Sequence, residues 1–444
     1  MNHNYLKLGK ATDLADKKDR FVYRFFEILP GFLAWATLTA IIILSFIQPV
    51  AIAIFIIIFD VYWLVKTVYL SLHLRAAFKR MRLNMKENWL EKLRSLRFAD
   101  YSLQSIKNWE DIYHLIILPT YKEESEVISA ALDGLLNANY PKNKIIVVVS
   151  QEERAGLPAQ AGLSAQAGKD FNSSVAKEII SKYQSDFLKL IVVQHPASVP
   201  GELAGKGSNI AWAGKFAKRE IVDNLGIRYD HVLVSALDVD TVVFPEYFGC
   251  LTHTFLTSQD PLHSSYQPVP FYTNNIWEAP SFARVVAFSS TFWHTIKQER
   301  MESDTTFSSH SMPFQALVDV DFWQNNMVSE DSRIFWQCFL RYDGRYRVEP
   351  LYYPVSMDAN VASTFWQTMV NVYKQQRRWG YGVENVPYFL FGFYKNKAIS
   401  FGNKIYLTFT MLERFWSWAT NAIMIFLLGW LPVIVGGNEF NKTV

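Results

Sequence analysis

Long apolar stretches lie near both ends of the chain, and short ones fill its middle. Residues 28–59 contain no Asp, Glu, Lys or Arg, and a helix needs about 20 apolar residues to cross the hydrocarbon layer of a membrane. Because Pro49 interrupts this stretch, the pattern predicts a helical hairpin with spans at 28–47 and 50–70. A third apolar stretch, at 415–435, predicts one more span.

The charged residues beside these spans predict the orientation of the hairpin. Basic residues precede the first span and follow the second, whereas the link between the spans carries none. The positive-inside rule therefore places both ends of the hairpin, and the middle of the chain, in the cytoplasm. We expect an integral protein of the inner or plasma membrane, with the lipid bilayer as one of its partners.

Between residues 113 and 360, short apolar runs alternate with helical patterns. These runs lie at 115–118, 145–149, 190–193 and 231–237. Such alternation is typical of βαβ units around a mostly parallel sheet. An uncharged Ala/Gly/Gln-rich repeat at 155–168 is interpreted as a surface insertion.

These patterns divide the chain into seven segments. They are a cytosolic N-terminal segment (1–27), a transmembrane hairpin (28–72), a basic amphipathic connector (73–112), an α/β domain (113–380), interfacial helices (381–412), a transmembrane helix (413–436) and a short tail (437–444). Three spans put the two termini on opposite sides of the membrane, an arrangement that fits a truncated product.

Charge and cysteine content argue against several classes of protein. The chain has 444 residues, with 44 basic and 41 acidic side chains and a net charge of +3. This near balance argues against a nucleic-acid partner, because such proteins bind phosphate with clustered positive charge. The two cysteines are too few for a disulfide framework or a zinc cluster, and we expect them to be reduced.

Polar groups follow the predicted strands. Pro119, Thr120, Tyr121 and Glu123 come directly after the first strand, where open α/β sheets bind ligands. Lys206 lies in the glycine-rich turn Gly-Glu-Leu-Ala-Gly-Lys-Gly-Ser-Asn before a helical pattern, and such a turn can face a phosphate. An ordinary strand-to-helix turn and a solvated lysine are the alternative interpretations.

A pair of acids follows the fourth predicted strand. Asp238 and Asp240 are one residue apart, directly after the apolar run 231–236. This spacing predicts a site for Mg²⁺ or Mn²⁺, since such cations bind carboxylate oxygens, water and substrate phosphates. A pair of surface acids in a turn is the alternative interpretation.

Two more motifs lie further along the chain. Glu330 and Asp331 are adjacent, as acids often are where a helix begins. Gln375, Arg378 and Trp379 form a Gln-x-x-Arg-Trp motif. Arginine binds phosphate bidentately, and tryptophan offers a flat face on which a sugar ring can stack.

The order of these motifs resembles that of the family 2 glycosyltransferases with the GT-A fold, and in particular the membrane-embedded processive members, such as cellulose, chitin and hyaluronan synthases. The resemblance covers residues 113–380. It implies an α/β GT-A-type domain with a mostly parallel sheet, flanked by transmembrane and interfacial helices. The implied activity is the inverting transfer of a hexose from a nucleotide-diphosphate sugar, expected to be a UDP-sugar, to a saccharide acceptor in polysaccharide synthesis.

The resemblance also implies roles for the motif residues. Asp331 is the expected catalytic base, and Glu330 is expected to orient it. Asp240 and Asp238 are expected to hold Mg²⁺ or Mn²⁺. The donor is expected to bind to Pro119, Thr120, Tyr121, Glu123, Glu152, Lys206, Asp238, Gln375 and Arg378.

The acceptor and the nucleobase are less well defined by the resemblance. Trp379 is expected to stack on the acceptor sugar, and His310 lies where the synthases place an acceptor-contacting segment. The family usually has Asp-Asp or Asp-Gly directly after the second strand, whereas this chain has Ser-Gln-Glu-Glu at 150–153. Glu152 or Glu153 would then replace the base-binding acid, which leaves the identity of the base open.

Two other functions remain open from the sequence. The short C-terminal membrane part favours single transfer of a sugar to a lipid carrier, because a translocation channel needs more helices unless a partner subunit supplies them. The missing aspartate after the second strand favours a catalytically inactive nucleotide-binding scaffold. A transporter is disfavoured, because more than half of the chain has the pattern of an α/β domain.

Overall fold

The computed structural model describes residues 4–156 and 166–436. These residues form two compact units. The sheet unit is Ala76–Gly382, and the helical unit combines the residues up to Arg75 with those from Val383 onward. Most of the repeat predicted as a surface insertion, and the predicted tail at 437–444, lie outside the described residues.

The sheet unit is built on an eight-stranded sheet with the strand order β3-β2-β1-β4-β7-β6-β8-β5. The strands are β1 (Tyr113–Thr120), β2 (Ile145–Glu152), β3 (Lys189–His195), β4 (Val232–Ala236), β5 (Val242–Val243), β6 (Ser264–Phe271), β7 (His310–Pro313) and β8 (Arg347–Ser356). The first four are the strands that the apolar runs predict, and the expected α/β fold is confirmed.

The sheet is mixed. The pairings β1–β2, β2–β3, β1–β4 and β6–β8 are parallel, and β4–β7, β6–β7 and β5–β8 are antiparallel. Strands β1 to β4 are therefore mutually parallel, and their carboxyl ends meet at one edge. In β2 all but one residue are buried, as expected for a parallel strand covered on both faces.

Helices of the sheet unit connect and cover these strands. They are α3 (Trp89–Ser95), α4 (Ser125–Leu136), α5 (Gln166–Tyr183), α6 (Lys206–Ala217), α7 (Tyr247–Thr257), α8 (Ser281–Lys297), α9 (Phe314–Asp319), α10 (Glu330–Arg341) and α11 (Phe365–Gly380). The apolar faces of α3, α4, α5, α7, α8 and α11 and the strands form one large core that includes Ile116, Leu132 and Val147. This core fixes the edge at which β1, β2 and β4 end.

Long apolar helices dominate the helical unit. They are α1 (Lys17–Ile47), α2 (Pro49–Asn84, which continues into the sheet unit), α12 (Asn385–Lys395), α13 (Phe401–Phe426) and α14 (Leu431–Gly436). Within the described residues, α1 and α2 are long and apolar enough to cross a membrane, and α13 with α14, bent by 52°, would make a third span. Helix α13 begins within the segment predicted as interfacial.

The break between α1 and α2 falls at the predicted turn. Helix α1 ends at Ile47 with Gln48 as its C-cap, and Pro49 is the first residue of α2, a position where the missing amide hydrogen of proline costs nothing. An ion pair lies inside the helical unit: Lys66 Nζ lies 2.5 Å from Glu413 Oε1, and the Ser417 hydroxyl donates to the same oxygen at 3.0 Å. Such pairing is expected of ionisable groups among apolar helices.

Candidate active site

The first residue of α6 places a lysine at the carboxyl edge of the sheet. Lys206 forms an ion pair with Asp238, which follows β4, and donates to the Ser308 hydroxyl at 3.0 Å. Ser308 in turn donates to Asp238. Burial opposes the charge of Lys206, but Asp238, Glu330 and Asp331 together raise the pKa of its ammonium group, so the lysine is held in its charged form.

Two acids at the start of α10 face this lysine. Burial, reinforced by repulsion from Asp331, raises the pKa of Glu330 to about 8, and the charge of Lys206 opposes the shift. Burial also raises the pKa of Asp331, again against the effect of Lys206. Asp331 Oδ1 accepts the backbone N–H of Ser332 at 2.8 Å. The site therefore holds one carboxyl group, that of Glu330, which can exchange a proton near neutral pH, and a second, that of Asp331, whose pKa lies above its ordinary value.

Close packing explains why a glycine follows Lys206. A Cβ atom on Gly207 would lie 2.9 Å from Glu330 Cβ and 3.1 Å from Glu330 Cγ. Distances this short require a shift of the neighbouring side chain or of the helix. The absence of a side chain at this position thus lets α6 and α10 bring Lys206 and Glu330 together.

We expect Gly207→Ala to displace Glu330 and to destabilise the fold by about 1–3 kcal/mol, the usual range for overpacking. The same displacement is expected to lower kcat. Gly205→Ala is the matched control, because a Cβ atom there meets nothing within 4 Å. Thermal unfolding and turnover of both variants test this, and equal behaviour of the two would contradict it.

Asp240 is the residue of this edge best placed to bind a cation. Its Oδ1 is buried and has no hydrogen-bond partner among the described residues, while its Oδ2 accepts the N–H of Asp358 at 3.3 Å. Burial and repulsion from Asp238 and Asp358 raise the pKa of Asp240 to about 7. A divalent cation would relieve both the missing partner and the repulsion, so the donor set fits Mg²⁺ or Mn²⁺.

Beyond Asp240 and the nearby Asp238, the ligands of such a cation would be water and substrate phosphate. The described residues contain no group of three or more His, Cys, Asp or Glu side chains that could hold a metal. Mg²⁺ commonly binds through one or two carboxylates and completes its shell with water and substrate phosphate. The arrangement around Asp240 is of this kind.

The segment Thr306–Ser309 connects the motifs and was only partly anticipated from the sequence. Thr306 donates its hydroxyl to the backbone carbonyl of Asp331. Ser308 contacts Lys206 and Asp238 as described, and Ser309 Oγ accepts the N–H of Asp238 at 3.2 Å. Ser309 has a φ of 60°, a strained conformation for a residue with a side chain.

Helix α11 brings the Gln-x-x-Arg-Trp motif to the same cluster. Against the effect of burial, Lys206 lowers the pKa of Asp238, and the charge of Arg378 adds to this; Arg378 also opposes the rise that burial causes in the pKa of Asp331. The Trp379 ring packs edge-on against Phe307, with centroids 6.0 Å apart. Gln375, half-buried, lies one turn before them on the same helix.

A side chain of helix α6 also forms hydrogen bonds to the ends of β1 and β2. The Asn209 side-chain amide donates to the carbonyls of Thr120 at 3.3 Å and Ser150 at 2.8 Å. Pro119 lies within β1, one residue before the buried Thr120 that ends it. Beyond the strand, the Glu123 carboxylate accepts the N–H of Tyr121 at 2.6 Å, which fixes the turn.

Glu152 and His310 lie at two other places along this edge. Glu152 ends β2, is buried and forms an ion pair with Arg154. His310 begins β7; its Nδ1 is 2.8 Å from the carbonyl of Phe307, and its Nε2 is buried without a partner among the described residues. Burial lowers the pKa of His310 to about 4, so the ring is neutral and its Nε2 is a hydrogen-bond acceptor.

Several polar residues of the site escaped the sequence analysis. Asn274 donates to the backbone carbonyl of Asp240 and to Asp358 Oδ1, both at 2.9 Å. Arg154 and Asp358 escaped the sequence analysis as well. The contacts of Asn274 join residues far apart in the sequence, which no local pattern indicates.

Comparisons with known proteins give only structural likenesses. No protein-family model matches the chain, and no curated protein does. One similar solved structure is the mannosyltransferase PcManGT from Pyrobaculum calidifontis in complex with GDP-Man and Mn²⁺, with 14% identity, a TM-score of 0.39 and coverage of 85% of this chain and 92% of that chain. Another is S. aureus TarS 1-349 in complex with UDP-GlcNAc, with 14% identity, a TM-score of 0.40 and coverage of 73% and 79%.

Proposed function

We propose that this chain transfers a sugar, with inversion, from a nucleotide-diphosphate sugar to a saccharide hydroxyl in polysaccharide synthesis. The side chains of the candidate active site support this reaction. Its main support is that Lys206, Asp238, Glu330, Asp331 and Arg378 interact electrostatically in one cluster at the carboxyl edge of the sheet. This combination suits the departure of a diphosphate and the loss of a proton from an acceptor.

The leaving group is a diphosphate, so negative charge has to be stabilised as the glycosidic bond breaks. Lys206 and Arg378 place fixed positive charge at the edge where β1 and β4 end. Charges that are already in position before the reaction usually make the largest single contribution to catalysis. A cation held by Asp240 and Asp238 would add Lewis-acid stabilisation of the same diphosphate.

The acceptor hydroxyl must lose its proton as its oxygen attacks the anomeric carbon. Asp331 is the proposed base: the new carbon–oxygen bond forms, the bond to the diphosphate breaks, and the proton passes to the Asp331 carboxylate. Glu330 orients this group from the preceding position. Burial raises the pKa of Asp331, which makes its carboxylate a stronger base than an exposed aspartate and suits this role.

The other site residues are proposed to bind the two substrates. Pro119, Thr120, Tyr121, Glu123 and Glu152 would contact the nucleotide, because they lie at the ends of β1 and β2. Gln375 would hydrogen-bond to sugar oxygens from α11. For the acceptor, the Trp379 ring would stack on a sugar face, and His310 Nε2 would accept a hydrogen bond from a sugar hydroxyl.

The helical unit supports a membrane location. We propose that α1 and α2 anchor the chain in the inner or plasma membrane with the sheet unit in the cytoplasm, where nucleotide-sugars are available. The basic residues after the second span support this orientation. A partner subunit would complete a channel if the product is a long polymer.

The raised carboxyl pKa values predict the pH dependence of the reaction. A carboxyl group is protonated below its pKa and then cannot act as a base, so we expect kcat/KM to fall as the pH drops through the raised pKa of Asp331, above the ordinary carboxyl value of about 4. Lys206 opposes the raised pKa values of Glu330 and Asp331. In Lys206→Met the same decline should therefore occur at a higher pH.

Rate profiles from pH 4 to 9 on the wild type and on this variant test the prediction. An unchanged or lower midpoint in Lys206→Met would contradict the proposed role of Lys206 in setting these pKa values. A midpoint near 4 in the wild type would exclude a buried carboxyl base of raised pKa.

The function itself is tested by incubating the full chain in detergent or membranes with a panel of nucleotide-sugars. We expect release of nucleoside diphosphate from one donor with Mg²⁺ or Mn²⁺ and its loss with EDTA. Product length then distinguishes a polymerase from an enzyme that makes a single transfer to a lipid carrier. Nucleotide binding without turnover of any donor would instead support the inactive scaffold.

A further inference from the structure

Glu152 is the acidic residue at the end of β2, the edge at which a nucleotide would bind. Ser150 occupies the position directly after Val149, but it is buried and its hydroxyl donates to Asn209 Oδ1 at 2.6 Å. Ser150 is thus fully engaged within the protein. Glu152 lies on the same face of the strand, because side chains alternate, and its Cα is roughly 6–7 Å further towards the edge. The acid is therefore displaced outward relative to the expected position.

Glu152 and Arg154 present complementary hydrogen-bonding groups. Arg154 Nε donates to Glu152 Oε2, and the guanidinium group lies 5.0 Å from the ring centroid of Tyr121. Among the described residues, Glu152 Oε1 and the terminal nitrogens of Arg154 have no hydrogen-bond partner. One free acceptor oxygen and the free donors of Arg154 thus lie side by side, next to an aromatic ring.

A cleft of about 420 Å³, counted with the open space at its mouth, adjoins this pair. Its lining includes Glu152, Arg154, His195 and Glu202. Both oxygens of Glu202 are engaged, Oε2 with His195 Nε2 at 2.9 Å and Oε1 with the Asn325 side-chain amide at 2.7 Å. Glu152 is therefore the carboxylate of this lining that remains available to a ligand.

We propose that this cleft selects guanine, so that the donor of the proposed reaction is a guanosine-diphosphate sugar rather than a uridine-diphosphate sugar. Guanine presents two adjacent donors, N1–H and N2–H₂, to the carboxylate of Glu152. Its O6 and N7 are the acceptors that arginine binds bidentately. The pair Glu152–Arg154 matches both halves of this pattern.

The other bases match it less well. Uracil has a single N3–H between two carbonyl oxygens, so the second carboxylate oxygen would face a carbonyl, which is repulsive. Adenine presents an acceptor at N1, where the carboxylate requires a donor. Such mismatches discriminate against the wrong base in addition to the attraction for the right one.

Calorimetric titration of the full chain in detergent, with Mg²⁺ present, tests the base assignment with three nucleotides. GDP is compared with UDP and with inosine diphosphate, which differs from GDP only in lacking the 2-amino group. We expect GDP to bind about 10-fold or more tightly than either, the usual effect of one good bidentate contact to a base. UDP binding as tightly as GDP would overturn the assignment.

Glu152→Gln identifies the residue responsible, since it replaces one carboxylate oxygen by a donor of the same shape. We expect the variant to lose the difference between GDP and inosine diphosphate while its affinity for UDP changes little, which also reports a folded site. Glu124→Gln, at an exposed position before α4, is the control and should bind all three as the wild type does. An unchanged preference for GDP over inosine diphosphate in Glu152→Gln would overturn the role of Glu152.

This inference rests on the proposed function, and the two can fail separately. Metal-dependent turnover of a UDP-sugar, with UDP bound more tightly than GDP, would overturn the guanine assignment and leave sugar transfer intact. Tight GDP binding without turnover of any guanosine-diphosphate sugar would keep the base assignment and contradict the transferase. Binding of neither nucleotide would overturn both.

Discussion

Replacing Asp331 by asparagine is expected to lower kcat by about 10²- to 10⁴-fold, the usual contribution of a positioned general base. Asparagine keeps the shape of the side chain and can still accept the N–H of Ser332, which Asp331 accepts at 2.8 Å. It cannot take a proton from the acceptor hydroxyl. The loss should therefore be in kcat, whereas the affinity for the donor nucleotide should change little.

Steady-state rates measure the loss in kcat, and nucleotide titrations on the same preparation measure the affinity for the donor nucleotide. Asp186→Asn, at an exposed acid in the same unit, controls for the removal of one negative charge and should behave as the wild type. Retention of more than about a tenth of the wild-type kcat in Asp331→Asn would remove Asp331 from the role of base, because it falls outside the range for general-base catalysis.

Lys206→Met is expected to lower kcat by about 10²- to 10³-fold, the effect of removing one preorganised charge that acts on the leaving group. It should also destabilise the fold, because Asp238 loses its counter-ion and a charged hydrogen-bond donor. Loss of such a bond typically costs about 1–3 kcal/mol. Lys215→Met on the same helix is the matched control, since that side chain is 48% exposed and its surface ion pair contributes little.

A double variant separates the two effects. Asp238→Asn removes the charge that Lys206→Met leaves unpaired, so the double variant should regain part of the lost stability, and the two changes should not be additive. Activity should not return, because neither the lysine nor the acid is then present. Thermal unfolding and turnover of the three variants test this, and recovery of activity in the double variant would show that Lys206 acts only on stability.

The part of the fold that follows local pattern could be predicted from the sequence. Strands β1, β2 and β4 are apolar runs buried on both faces, β3 is an apolar run at the edge of the sheet, and the α1–α2 break coincides with a proline in an otherwise uncharged stretch. Strands β5 and β7 gave no such signal. The first has two residues, Val242–Val243, and the second, His310–Pro313, mixes polar and apolar side chains, so their place in the sheet depends on pairing with distant strands.

In the candidate site, too, the local motifs could be predicted from the sequence and the contacts between them could not. The motifs that carry Lys206, Asp238 and Asp331 could be recognised because each is a short local pattern at the end of a predicted strand or the start of a helix. The contacts that hold them together could not. Ser308 reaches Lys206 and Asp238, and Asn274 reaches Asp358, across separations in sequence that no local pattern encodes.

The anomeric configuration of the product tests the central claim most directly. The full chain is supplied with a nucleotide-sugar of known α configuration, an acceptor and Mg²⁺ or Mn²⁺, and the new linkage is read by NMR. Direct attack by an acceptor activated by Asp331 predicts a β linkage that forms in the wild type and not in Asp331→Asn. An α linkage, or release of free sugar in place of a linkage, would contradict transfer by a single displacement at this site.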